Sequence, residues 1–289
     1  MLKALIKTMR PRQWTKNGFI FFGLIFDKQL FRPEPFLRTV AGFFLFCLIS
    51  SAVYLFNDIA DIEADRNHPE KKYRPIASGK LPVSVALTTA LLLTIIAIPL
   101  GYLLSPVFAL ILTVYLVNNL LYSRWLKHVS ILDVLIVSSG FVLRVGAGVA
   151  LITVERFSPW LYMITILFSL YIGLGKRRAE MNLLAQGASA HRKVFEGYTI
   201  PLIDQYITIV SGMTIVAYSL YTFSAPNLPA NHTMMLTIPF VVYGIFRYLQ
   251  LIQMGHAAGS PDEVALKDRP LQVTVLLWGL AVIAVFYLS

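Results

Sequence analysis

Long apolar runs alternate with short polar breaks along this chain. Runs of spanning length fall near 14–31, 37–56, 82–104, 106–122, 131–152, 158–175, 203–224, 233–252 and 271–288. Each approaches the roughly 20 residues that a helix needs to cross a hydrocarbon core about 30 Å thick. The pattern predicts an all-α polytopic membrane protein with nine transmembrane helices. Some breaks are tight: at Ser105-Pro106 a proline ends one helix and starts the next. The first run is short, which suits a tilted or interfacial segment. Before it, "MLKALIKTMRPRQW" is basic and amphipathic and has no small-residue cleavage site, so it reads as a surface helix leading into the first span.

Charge orients the spans. With the N-terminus inside, the inside loops are 57–81, 123–130, 176–202 and 253–270, and together with the N-terminal segment they hold 19 of the 25 basic residues. Outside segments hold Lys28, Arg32, Arg38 and Arg156, while Arg144 and Arg247 fall within spans. This asymmetry places the N-terminus inside and the C-terminus outside. The inside loops after helices two and six are long and charged, so helices one to four and five to eight look like two copies of one plan within a single domain, 1–289.

Composition agrees. Hydrophobic residues make up 57% of the chain and charged ones 14%, about half the charge of a soluble domain. The net charge of +10 belongs to the inside loops and not to a nucleic-acid surface. The single cysteine, Cys47, lies in an apolar run and offers no disulfide framework.

The chemistry concentrates in "NDIADIEADRNHPEKKYRPIASGK", Asn57 to Lys80. Asp58, Asp61 and Asp65 are spaced i, i+3 and i+7, so a continuing helix stacks them on one face. Three carboxylates there repel one another, and the macrodipole disfavours anions at a helix C-terminus. A divalent cation on oxygen ligands relieves both penalties. Mg2+, which takes one or two carboxylates, waters and substrate phosphates, is the natural candidate. The bases that follow read as its phosphate-binding counterpart. The bland alternative is a solvated, self-neutralising loop beside lipid headgroups.

"NDIADIEAD" resembles the NDxxDxxxD motif of the UbiA superfamily of intramembrane transferases. The resemblance implies nine helices around a central cavity open to the cytoplasm, with Mg2+-bound diphosphate at Asp58, Asp61 and Asp65 and with Asn57 either orienting them or contacting the phosphates. Typical members carry a second aspartate motif after helix six. Here "GLGKRRAEMNLL" offers Glu180 as its only acid, with Lys176, Arg177 and Arg178 where carboxylates are expected. Bases in place of acids suit a substrate with more phosphate. With "RPRQWTKN", "YSRWLK" and "LKDRPL", the set looks like the decaprenyl-phosphate phosphoribosyltransferase branch of that superfamily. The expected activity is transfer of 5-phosphoribose from phosphoribosyl diphosphate (PRPP) to a polyprenyl phosphate at the cytoplasmic face of the plasma membrane. Its partners would be those two substrates and membrane lipid.

Other residues carry paired readings. Lys16 and Asn17 open the first span: Lys16 either snorkels or contacts a phosphate or lipid headgroup. Arg66 and Arg74 are phosphate candidates, and His68 is expected to hydrogen-bond, because hard Mg2+ prefers oxygen. Tyr122 and Lys127 form either an interface belt or a contact to diphosphate or ribose. Asp133 is either a cap or an active-site acid. Arg144, about 16 Å along a helix from Asp133, either forms a structural ion pair or faces substrate, and Gly146 and Gly148 suggest close helix packing nearby. Lys176 and Arg177 are expected on the 5-phosphate, with Glu180 holding either their geometry or a ribose hydroxyl. Asp268 and Arg269 form either a lid or a salt-bridged helix start. A true prenyltransferase and a transporter or lipid flippase are the competing functions. The residues are compatible with a monomer or a homo-oligomer.

Overall fold

The computed structural model describes residues 1–153, 159–185, 193–225, 228–254 and 267–288, and all regular structure among them is helical. Arg156, Arg192 and residues 255–266 of the expected inside and outside segments lie outside the described residues. Eight described helices are long and apolar enough to cross a membrane. They are α3 (Pro33–Ala60), α5 (Val83–Leu104), α6 (Pro106–Arg124), α7 (Leu132–Val149), α8 (Pro159–Ala185), α9 (Ile200–Ser224), α10 (Ile238–Gln253, preceded by a 3-10 turn Thr233–Thr237) and α11 (Arg269–Leu288). Shorter helices are α1 (Leu2–Met9), α2 (Phe21–Phe26) and α4 (Ile62–Arg66).

Eight of the nine expected runs are single spanning helices among the described residues, and the first differs. Residues 14–31 do not form one long α-helix. A 3-10 segment, Pro11–Ile20, runs into the six-residue α2. Pro11 and Gly18 weaken regular α-helix here. The segment also packs closely: a Cβ on Gly148 would fall 1.8 Å from the Ile20 carbonyl oxygen. The expected close packing therefore occurs at Gly148 and not at Gly146, where the nearest atom to such a Cβ is 3.8 Å away. A second difference concerns α8, which continues about ten residues past its expected end, so Lys176 to Glu180 are helical and not loop. Lys, Arg, Ala, Glu, Met and Leu are all good helix formers, and nothing breaks the run before Gly187.

The chain forms two compact units. One comprises 1–25, 29–127 and 143–154, the other 26–28, 128–142 and 155–289. In the first unit α3 is the central element, packing on α1, the 3-10 segment, α5 and α6. It is the most buried span and α5 the least. Phe46, Ile49, Val53, Phe108, Leu112 and Leu151 form its main core. Ser105 caps α6, its Oγ accepting from the Phe108 N–H at 3.4 Å with Pro106 following, as the Ser105-Pro106 break predicts. A second cluster anchors the inside loop: Ile76 and Leu81 are buried with Ala52, Leu55, Ala86 and Ala90. Burying two such side chains contributes about 2 kcal/mol each. In the second unit α8 packs on α9, and α10 on α8, α9 and α11, around Tyr171, Ile203, Ile207, Ile245, Tyr248 and Ile252.

Candidate active site

The acidic motif begins on α3 and crosses its end. Asp58 is the last buried residue of α3, Asp61 caps it at φ −97°, ψ 10°, and Asp65 is buried on α4. The turn at Asp61 splits the expected single face. Asp58 and Asp65 converge on one nitrogen: Arg74 Nη1 lies 3.1 Å from Asp58 Oδ1 and 2.7 Å from Asp65 Oδ2. Asp61 points elsewhere and accepts from Lys127 Nζ at 2.7 Å. Arg74 is held in place because the apolar residues after it are buried, and its carbonyl accepts from Ser78 N–H at 2.9 Å.

Arg10 supplies a further cation. Its Nη2 lies 2.5 Å from Asp58 Oδ1, and its guanidinium sits 4.7 Å from the centre of the Tyr54 ring. Arg10 was not among the site residues read from the sequence, although it opens the quoted "RPRQWTKN". Asn57 accepts from Ser123 Oγ, which ties the start of the motif to the end of α6. Arg66 donates to the Ala77 carbonyl at 3.3 Å and thereby braces the loop. His68 Nδ1 accepts from the Glu70 and Lys71 N–H groups, both at 3.2 Å, in line with its expected hydrogen-bonding role. Partial burial, reinforced by Lys71, holds its pKa below the ordinary value. Among the described residues, no three His, Cys, Asp or Glu side chains group as a ready-made metal cage.

Deeper in the same unit lies a polar network. Arg144, buried, donates from Nε to Asn17 Oδ1 at 2.8 Å and from Nη2 to Tyr115 Oη at 2.9 Å. Its guanidinium lies 5.3 Å from the Phe46 ring centre and 4.9 Å from that of Tyr115. Asn17 in turn donates towards Cys47 Sγ and Ser50 Oγ, both at 3.2 Å. Aromatic faces and neutral oxygens thus surround a charge that is costly inside a membrane. Tyr115 gave no sequence signal, because one tyrosine in an apolar run is unremarkable. Lys16 and Tyr122 are half-buried, on the 3-10 segment and at the end of α6.

The second unit holds its own charged cluster. Asp133 is fully buried; it accepts from Arg177 Nε at 2.5 Å and from Tyr198 Oη at 2.8 Å. Arg177 also donates to Glu180, one turn on. Tyr198 Oη accepts from the Ile131 N–H at 2.6 Å. That contact braces a β-branched residue at φ 70°, a conformation that costs about 1–3 kcal/mol. Burial and the bond to Asp133 push the Tyr198 phenol well above its usual range. Arg178 binds Asp204 at 2.8 Å. Lys176 is exposed. Of the two readings for "LKDRP", the salt-bridged helix start is observed. Asp268 takes two bonds from Arg247, at 3.2 and 2.7 Å, and accepts from the Leu271 N–H at 2.9 Å.

Comparison with known proteins places these features. A decaprenyl-phosphate phosphoribosyltransferase of Mycobacterium tuberculosis is 34% identical over 286 residues, covering 96% of this chain and 92% of the relative. The protein of that name from Mycolicibacterium smegmatis is 35% identical over 308 residues, covering 100% and 94%. A solved UbiA homologue from Archaeoglobus fulgidus, bound to DMAPP and Mg2+, superposes with a TM-score of 0.75 over 99% of this chain and 100% of that one, at 14% identity, and so shares the fold. The profile of the UbiA prenyltransferase family matches residues 18–262, from the 3-10 segment through the acidic motif to beyond α10. A multi-pass helical chain with this motif at the end of α3, this fold and these full-length relatives belongs to the UbiA prenyltransferase family.

Proposed function

We propose that the chain transfers 5-phosphoribose from PRPP to a polyprenyl phosphate at the cytoplasmic face of the plasma membrane. The observation that carries the proposal is the convergence of two buried carboxylates, Asp58 and Asp65, on Arg74, in a chain whose relatives over nearly its whole length are named for this reaction. The Lys and Arg asymmetry of the loops supports the cytoplasmic orientation.

Donor chemistry suits Mg2+. Hard carboxylate oxygens converge at one point, and Mg2+ needs only one or two of them because water and substrate phosphates complete its shell. Asp58 and Asp65 would hold the ion, while Asp61, turned away in this structure, positions Lys127. The ion would neutralise charge on the departing diphosphate. Asn57, fixed by Ser123, orients the motif, and Arg74 and Lys127 supply cations to phosphate oxygens. In the reaction, the bond from ribose C1 to the diphosphate oxygen breaks, and the electron pair leaves with diphosphate. A lipid phosphate oxygen forms the new bond on the opposite face, inverting C1. The attacking phosphate monoester is largely ionised near neutral pH, its second pKa being about 6, so no side chain has to remove a proton.

On charge, Lys176 is assigned to phosphate binding, with Arg177 held by Asp133 and Glu180. A prenyl diphosphate donor is the competing substrate, and the bases in place of a second aspartate motif argue against it. Membranes containing the chain, given PRPP labelled in the ribose, polyprenyl phosphate and Mg2+, should yield organic-extractable label. Label that stays aqueous while a prenyl diphosphate is consumed would replace this reading with the prenyltransferase one.

A further inference from the structure

We infer that Arg10 is the counter-ion that a divalent cation displaces from Asp58, and that the displaced guanidinium then donates to the diphosphate. This rests on the proposed function only for the identity of the diphosphate substrate. Four observations converge on it. First, the Asp58 side chain is 3% exposed whereas that of Arg10 is 31% exposed, so the carboxylate is fixed in the protein and the guanidinium reaches it from the open side. Second, Arg74 is tied to both Asp58 and Asp65, whereas Arg10 holds one carboxylate, so Arg10 is the cation more easily exchanged.

Third, Tyr54 lies one helical turn before Asp58 on α3, and its ring is under the Arg10 guanidinium at 4.7 Å. The ring gives the cation a favourable face that does not depend on the carboxylate. Fourth, the Arg10 backbone is pinned. It closes α1 in the left-handed region at φ 53°, its N–H bonds the Lys7 carbonyl, and Pro11 follows. Exchange therefore needs only side-chain rotation.

The electrostatics set the direction. A divalent ion and a guanidinium repel strongly when both approach one carboxylate oxygen. The ion wins the oxygen, and the diphosphate it brings offers the arginine a charge-assisted acceptor. Arg10 therefore opposes binding of the metal alone and favours binding of metal with diphosphate. It makes the site selective for the pair.

A purely structural Arg10 would not do this, which makes the sign of one measurement decisive. Mn2+ is titrated into the purified full-length chain by electron paramagnetic resonance, without substrate, for wild type, Arg10→Gln and Arg10→Lys. The expected result is Mn2+ binding on the order of tenfold tighter in Arg10→Gln and close to wild type in Arg10→Lys. Unchanged or weaker binding in Arg10→Gln overturns the inference. A second measurement uses the wild type alone, so it does not depend on a variant folding. Arginine modification by phenylglyoxal, mapped to Arg10 by mass spectrometry, should speed up with Mn2+ and slow again with Mn2+ plus inorganic diphosphate. A rate indifferent to both overturns the inference. Protection by inorganic diphosphate but not by PRPP supports the exchange and overturns the substrate reading instead.

Discussion

Asp58 and Asp65 differ from the other acids of the motif in being buried, and each is paired with a cation: Asp65 with Arg74 of the same stretch, Asp58 with Arg74 and with Arg10. Asp58→Asn and Asp65→Asn keep size and hydrogen-bonding capacity but remove charge, so phosphoribosyl transfer should fall on the order of 100-fold or more with the thermal midpoint little changed. Activity near wild type at saturating Mg2+ in both would remove the metal assignment. Arg177 presents the opposite case. Its loss strands the fully buried Asp133, a change worth about 3–5 kcal/mol. Arg177→Ala should thus lower the melting temperature markedly, whereas Lys176→Ala should leave it alone and weaken PRPP binding roughly tenfold. Equal PRPP affinity in Lys176→Ala and wild type would leave Lys176 a topological residue. His68 adds a pH dependence. The folded loop favours its neutral form and lowers its pKa from the ordinary 6.5. The contribution is therefore full above 6.5 and is lost as pH falls through the lowered value. Protection of the Glu70 and Lys71 amides, measured against the intrinsic exchange rate at each pH, should fall over that acidic range, and His68→Ala should abolish that fall.

At the scale of elements, α3 and the loop after it make the acidic half-site: the helix buries Asp58, the cap at Asp61 turns the chain, and buried Ile76 and Leu81 return Arg74 to the carboxylates. The 3-10 segment has a different dependence, because it lies against α7 through one glycine. A Cβ at Gly148 meets backbone, which cannot rotate away. Gly148→Ala should destabilise the chain by about 1–3 kcal/mol. Gly146→Ala, with 3.8 Å of clearance, should be neutral or slightly stabilising through its helix propensity. Thermal melts of the two variants side by side test the packing, and equal midpoints would refute it.

For the molecule in its membrane, orientation is the property that decides which compartment would supply the proposed donor, PRPP. Cys47 is buried and gives little background to thiol labelling. A cysteine placed at the exposed Lys72 should react with an impermeant reagent only from the cytoplasmic side, and one at the exposed Phe31 only from outside. The reverse pattern would invert the topology and with it the access of cytoplasmic PRPP.

What the sequence determined by itself is whatever depends on how a short stretch partitions between water and lipid. Apolar run length located eight spans, while loop charge set the orientation to expect and the spacing of Asp58, Asp61 and Asp65 set where to expect the chemistry. These are local quantities, and each run carries its own transfer free energy. The first run is not one regular helix, because a 3-10 segment in glycine contact with α7 occupies it. Only the tertiary structure decided which cation meets which polar partner. Arg10 reaches Asp58 across 48 residues, Lys127 reaches Asp61 across 66, and Arg144 reaches Asn17 across 127. Nothing in the vicinity of either partner encodes such pairings. They exist because packing brings the helices together, and because a buried charge without its partner is too costly to leave unpaired.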